Sequence, residues 1–343
     1  MENFNEAPTQ SLSTHLSEPL EVGDPDVSGP LAVYPLFGPA PKLDYAAFAQ
    51  AQSDVAITEL DGGASVNDLI VHNQGSRPVL LYEGEEILGA QQNRVLDLSI
   101  LVAAASKTPI PVSCVEQGRW DGSRHGERFR PSPQAADPRM RRLKNRRARI
   151  NVAAGMEARA DQGEVWQEVS SRGAELDAHS PTGAMSDIYE SHRDRLAEIR
   201  EVVGIHDGQC GSVAVIGGRI AMLDYVSRPD VYAALQPALA EGYALDALAH
   251  ERRGAEESDV VLDVGTIRGF TLLACDSPAA NGRAGPGLGE TARFVANGVE
   301  GSALLHEGEM LQLTTFPSDG SGDVENSGPR AGRIGRPSRR RHS

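Results

Sequence analysis

The stretch VLLYEGEEILGAQQNRVLDLSILVAAASKTPIPVSCVEQGRW, residues 79–120, decides how this chain is read. Its apolar runs at 79–82, 87–88, 95–102 and 108–112 are short and aliphatic, as strands are, and Glu83-Gly84-Glu85-Glu86 between the first two reads as a β-hairpin tip. Polar side chains interrupt the pattern at Gln91, Gln92, Asn93 and Arg94, and again at Ser113-Cys114-Val115-Glu116-Gln117-Gly118-Arg119-Trp120. A sheet has no need of these groups, and each that is buried costs free energy unless it is partnered. Breaks of this kind are where function is expected.

Outward from this block, residues 31–120 read as β-rich, with strands at 31–37, 56–59 and 66–73 and a short helix at 46–52. Helices follow at 164–176, at 186–203 capped by Ser186, and from Pro229 to about 248, with Pro237 and Gly242 as points where the last would kink. Three segments echo one another: VLLYEGEEILGA (79–90), VAVIGGRIAMLD (213–224) and ALLHEGEMLQLT (303–314) each set a Gly-containing turn between apolar runs. The second and third are each preceded by Gly-Ser. Shared sheet architecture and chance recurrence account for the echo equally well. Strands and helices without regular βαβ alternation predict an α+β fold, a β-rich core of antiparallel hairpins with helices inserted between them.

The expected organisation is an acidic disordered tail at 1–30, one compound domain over 31–317, and an Arg-rich disordered tail at 318–343. Within the domain, 31–120 is β-rich, 124–203 basic and helical, 211–252 a hairpin plus helix, and 259–317 β. A formal charge of −15 argues against a protein that coats nucleic acid with its whole surface. No run approaches the ~18 apolar residues of a membrane span, and the start of the chain lacks a secretory pattern. The three widely spaced cysteines, Cys114, Cys210 and Cys275, resemble reduced thiols. These features together predict a soluble, cytoplasmic protein without a membrane partner.

Ten Lys or Arg residues lie between Arg124 and Arg149 against Glu127 and Asp137 alone. Arg141, Arg142, Arg146 and Arg147 are the candidate anion patch; the bland reading is a solvated helix face paired with acids elsewhere. Nucleic acid is expected only here or at the Arg-rich end. Glu85 and Glu116 are candidate general bases, Glu83 and Glu85 candidate ligands of a divalent metal, and Cys114 a candidate nucleophile whose apolar strand equally suits a small buried hydrophobe. Gln92, Asn93, Arg94, Gln117, Arg119 and Trp120 are candidate ligand-binding residues. No phosphate loop, dinucleotide-binding fingerprint, nucleophile elbow or His-based metal spacing is present.

The 85–120 block, with QGEVWQEV (162–169), SPTGAMSDIYE (180–190) and the 211–224 hairpin running into YALDAL (243–248), is similar to the ADP-ribosylglycohydrolase- and rhodanese-phosphatase-associated protein domain family over residues 31–317. That resemblance implies proximity to NAD-derived or ADP-ribose-like metabolites and to phosphoester chemistry, without an established reaction to carry over. The function expected is an enzyme, of hydrolase type, on an NAD-derived or ADP-ribose-like metabolite; the alternatives are a non-catalytic nucleotide-metabolite binding or sensing module, and a structural or interaction protein whose polar block fixes strand register.

Overall fold

Strands Gln209–Ile216 and Arg219–Val226 form one antiparallel hairpin, Val299–His306 and Glu309–Pro317 another, and the two lie side by side at the centre of a nine-stranded sheet. This computed structural model describes residues 10–63, 65–254, 261–279 and 282–318. Leu31–Phe37 flanks the pair of hairpins on one side and Glu290–Ala296 on the other. The Gly-Ser dipeptides noted in sequence have a shared physical role. A Cβ at Gly211 would collide with the Asp224 carbonyl oxygen, and one at Gly301 with that of Thr314. Glycine therefore lets each neighbouring strand come close. The adjacent serines fall opposite Asp224 and Thr314, which pair with each other, so Ser212, Asp224, Thr314, Ser302 and Arg293 form one polar row across five strands.

Six α-helices lie among the described residues: α1 Pro138–Ala153, α2 Gln162–Glu175, α3 Met185–Ser191, α4 Arg193–Val202, α5 Pro229–Arg252 and α6 Val264–Cys275. Asp137, Asp161 and Asp263 cap α1, α2 and α6 by accepting backbone N–H groups of the first turn. Apolar side chains of α5, among them Leu235, Leu239, Tyr243 and Leu248, share a core with Ala214, Met222 and Phe316 on one face of the main sheet. Ile267, Phe270 and Ala274 of α6 pack with Val213, Leu223 and Leu313 of the other face. A six-stranded sheet, in the order Arg130–Ala135, Glu85–Leu88, Arg94–Leu96, Ser106–Cys114, Asp68–Asn73, Val55–Thr58, and a three-stranded one, Ile100–Val102, Val79–Leu81, Ala46–Ala47, share a separate core. The fold is α+β with mainly antiparallel sheets, and no described helix is long and apolar enough to cross a membrane.

Several expectations are corrected. Residues 10–30 are ordered: Leu12, Leu20 and Val22 are buried beside Ile267 and Phe270, and Glu21–Val22 pairs with Leu36 and Phe37. The rest of that segment, and the Arg-rich end from 319 onward, lie outside the described residues. The 79–90 segment is not a hairpin. Its two strands belong to different sheets, and Glu83, Glu85 and Glu86, read as a hairpin tip, are buried. Ser99 Oγ accepts from the Glu83 amide, and the turn redirects the chain from one sheet to the next. The run 95–102 divides the same way, into Arg94–Leu96 and Ile100–Val102. The expected helix at 46–52 is a two-residue strand and a 3₁₀ turn, Phe48–Gln50. The helix expected at 186–203 is two, broken at His192, and α5 runs through Pro237 and Gly242 without interruption. The segment 259–317, read as β, contains α6, whose buried Ile267, Phe270, Thr271 and Ala274 are at helical spacing.

Candidate functional site

The polar interruptions at 91–94 and 113–120 do converge. Arg94–Leu96 pairs with Ser106–Cys114, bringing Arg94 opposite Cys114, and the loop beyond Cys114 folds back over residues 90–93. Glu116 accepts from the Asn93 amide at 3.2 Å and from Thr182 Oγ1 at 3.1 Å, and Arg119 ion-pairs with it at 2.6 Å. Arg119 also donates to the Asn93 side chain at 3.0 Å and to the carbonyl of Ala90 at 2.8 Å. Ala90 holds φ 42°, a left-handed conformation that a non-glycine residue adopts at a cost and that this hydrogen bond helps to fix. Gln92 donates to the Glu116 carbonyl at 3.1 Å and accepts from Arg94 at 3.0 Å.

Beneath this lattice is a group of buried polar atoms held by a long ion pair and not by close hydrogen bonds. Both carboxylate oxygens of Glu59, Nε of Arg94 and Oε1 of Gln91 are shut off from water and make no hydrogen bond. They lie together: Arg94 Nη2 is 3.8 Å from Glu59, and Gln91 Nε2 is 3.0 Å from His125 Nδ1. Burial raises the Glu59 pKa, opposed by the charge of Arg94, by the nearby Gln91 amide and by His125. Burial likewise lowers the Arg94 pKa, opposed by Cys114 and Glu59. Trp120 is 48% exposed, with the Arg94 guanidinium 5.8 Å from its ring centroid. Gln117 is exposed beside it. Glu59 escaped the sequence reading, although its signal was legible: Glu59, just past the strand Val55–Thr58, continues the inward alternation of Val55 and Ile57.

The carboxylates singled out for chemistry have other partners. Glu85 accepts the Tyr82 amide at 2.7 Å, and burial pushes its pKa up to about 7. Glu83 accepts from Arg141 at 2.9 Å, so Glu83 and Glu85 do not share a ligand position. Among the described residues, no group of three or more His, Cys, Asp or Glu side chains is placed to hold a metal ion. Glu86 accepts from Ser132 and Gln134, while burial, with Glu116 and Asp187 nearby, raises its pKa to about 8. Its second oxygen has no partner. The Cys114 thiol is buried and its pKa is raised by burial, the opposite of nucleophile activation.

Arg141 leaves the expected anion patch altogether. It is buried under the polar row, with Nη2 2.6 Å from Asp224 and 2.9 Å from Glu83. Tyr82 and Tyr243 hydroxyls donate to the same Asp224 carboxylate. Lys144, one turn on, is buried against Asp97 at 3.0 Å. The basic composition of α1 thus hides an inward stripe of Met140, Arg141, Lys144, Asn145 and Ala148. On its outer face, Arg142 meets Glu300 at 2.8 Å, Arg147 pairs with Glu164, and Arg146 is exposed; all three line a cleft of about 1260 Å³.

No curated protein and no solved structure matches the chain. One family does, and it takes in both hairpins, the buried Arg141 centre and the Glu59–Trp120 cluster. Over residues 19–316 the chain matches, and therefore belongs to, the ARPP-1 family, the ARG and Rhodanese-Phosphatase-superfamily-associated Protein domain.

Proposed function

We propose that this chain is a binding module for a polar, nucleotide-type metabolite, received between Trp120 and the Glu59–Gln91–Arg94 cluster. The observation that carries the reading is the set of buried atoms without a hydrogen bond on these three residues, with the exposed Trp120 ring 5.8 Å from the Arg94 guanidinium. Unsatisfied polar groups are rare in folded proteins and call for a water, ion or ligand. A carboxylate suits ribose hydroxyls, a guanidinium suits phosphate, and an exposed indole face suits a base. The family name associates its members with ARG and rhodanese-phosphatase proteins, so ADP-ribose and NAD head the candidate ligands.

Binding is favoured over turnover because Glu85 and Glu116, the expected general bases, are held by backbone amides and Arg119. One observation supports catalysis: Glu86, protonated at neutral pH, has a free oxygen. Thermal-shift measurements against ADP-ribose, NAD and linear and cyclic nucleotides, with and without Mg²⁺, Mn²⁺ or Zn²⁺, test the reading. Ligand at 100 times its Kd stabilises by about 2.7 kcal/mol. Trp120→Ala and Glu59→Gln should abolish the shift. No shift with any ligand, or a shift unchanged in both variants, would overturn the site. Turnover lost in Glu86→Gln with affinity retained would favour the enzyme.

A further inference from the structure

The polar row across the main sheet ends on Arg293, which differs from the other four members. Ser212 is bonded to Tyr243, Asp224 to Arg141, Thr314 to Gln312 and Ser302 to Asn145. Arg293 makes no hydrogen bond or ion pair among the described residues, and its Nε is shut off from water. Burial brings its pKa down to about 10, with Glu83 opposing, so it remains charged at neutral pH. Arg293 is part-buried, with Nε out of reach of water, so an anion that meets the rest of the guanidinium gains a charge-assisted contact in a partly dehydrated place.

Arg293 lines a cleft of about 420 Å³ between the two large sheets and the C-terminal end of α1, within the size range of small-molecule pockets. Ile110, Val152 and Met156 supply apolar wall, and Arg283 stands exposed at the edge. Asp68 and Glu157 also line the cleft, both paired with Arg159 at 2.7 Å, so its three arginines (Arg159, Arg283 and Arg293) outnumber its two carboxylates by one. We propose that this cleft binds a small organic anion, with a ring-sized apolar body against Ile110, Val152 and Met156 and one phosphate or carboxylate on Arg293. It is separate from the Trp120 site and shares no residue with it.

Calorimetric titration of phenyl phosphate, benzoate and inorganic phosphate into the wild-type chain, Arg293→Gln, Met156→Glu and Trp120→Ala tests the proposal. Met156 is 55% exposed, so the glutamate alters the wall without disturbing the core. Saturable one-to-one binding of phenyl phosphate or benzoate is expected, with the tighter of the two identifying the preferred anion. Inorganic phosphate should bind at least about tenfold more weakly. Arg293→Gln and Met156→Glu should each weaken the aromatic anion at least about tenfold, and Trp120→Ala should leave it unchanged. The proposal falls if neither aromatic anion saturates the wild-type chain at millimolar concentration. It also falls if Met156→Glu binds as wild type does, or if Trp120→Ala abolishes binding.

Discussion

Replacing Arg141 with methionine keeps an apolar stem of similar reach and removes the guanidinium. Arg141 is 1% exposed and holds two carboxylates, Glu83 and Asp224, which are themselves buried. Breaking a buried pair from one side costs about 3–5 kcal/mol, because the remaining charge is left without compensation. Here two charges are left, so the upper end applies. At roughly 2 °C per kcal/mol for a domain of this size, the melting temperature should fall by about 10 °C. Urea denaturation followed by circular dichroism would measure the loss. Arg147→Met is the control: its pair with Glu164 is about one-third exposed on both sides, and such pairs contribute about 0–1 kcal/mol. Adding Glu83→Gln and Asp224→Asn to Arg141→Met should recover part of the loss, since the stranded charges are then gone. A loss below about 1 kcal/mol for Arg141→Met, or one equal to the Arg147→Met control, would refute the assignment of Arg141 as a structural centre.

Glu86 has an ordinary pKa of 4.5 and about 8 in the fold, so the native state holds a proton that the unfolded state releases. Wild-type stability should therefore fall relative to Glu86→Gln as pH rises through this interval, by at most about 1.4 kcal/mol per unit, and level off above pH 8. Parallel pH profiles for the two proteins would contradict this. Gly301→Ala forces a Cβ against the Thr314 carbonyl and should cost about 1–3 kcal/mol, read by the same denaturation assay. Wild-type stability in that variant would remove the close-approach explanation of the Gly-Ser echo. All three cysteines are buried, with acidity weakened by burial to about 12 for Cys210 and Cys275. Native protein at pH 8 should resist iodoacetamide until denatured, as mass spectrometry would report; rapid labelling of Cys114 would revive its role as a nucleophile.

Where local pattern governs structure, it was readable. The alternation along Val55–Thr58 and Asp68–Asn73 lies as its spacing predicts; of Val165, Trp166 and Val169, read as the inward face of α2, the two valines are buried and Trp166 is part-exposed. The cluster at 91–120 was readable for a related reason: short strands separate its parts, so residues close in sequence meet in space. The 79–90 turn was not readable, because distant residues hold it. Tyr82 bonds Asp224, and Glu83 bonds Arg141, neither of which is near it in the chain. For α1, burial was concealed by charge, since Arg141 and Lys144 face inward only with Asp224, Glu83 and Asp97 to receive them. The ordering of residues 12–22 depends on α6, whose helical spacing was present but was outweighed by the β content around it.

Trp120 gives the most direct test of the ligand site, because the chain has two tryptophans and Trp166 can be removed. Titrating ADP-ribose into Trp166→Phe while following the remaining indole fluorescence reads the site alone. A saturable change that disappears when Glu59→Gln is added is the result the account predicts. Unchanged fluorescence across the titration, or a change indifferent to Glu59, would contradict it.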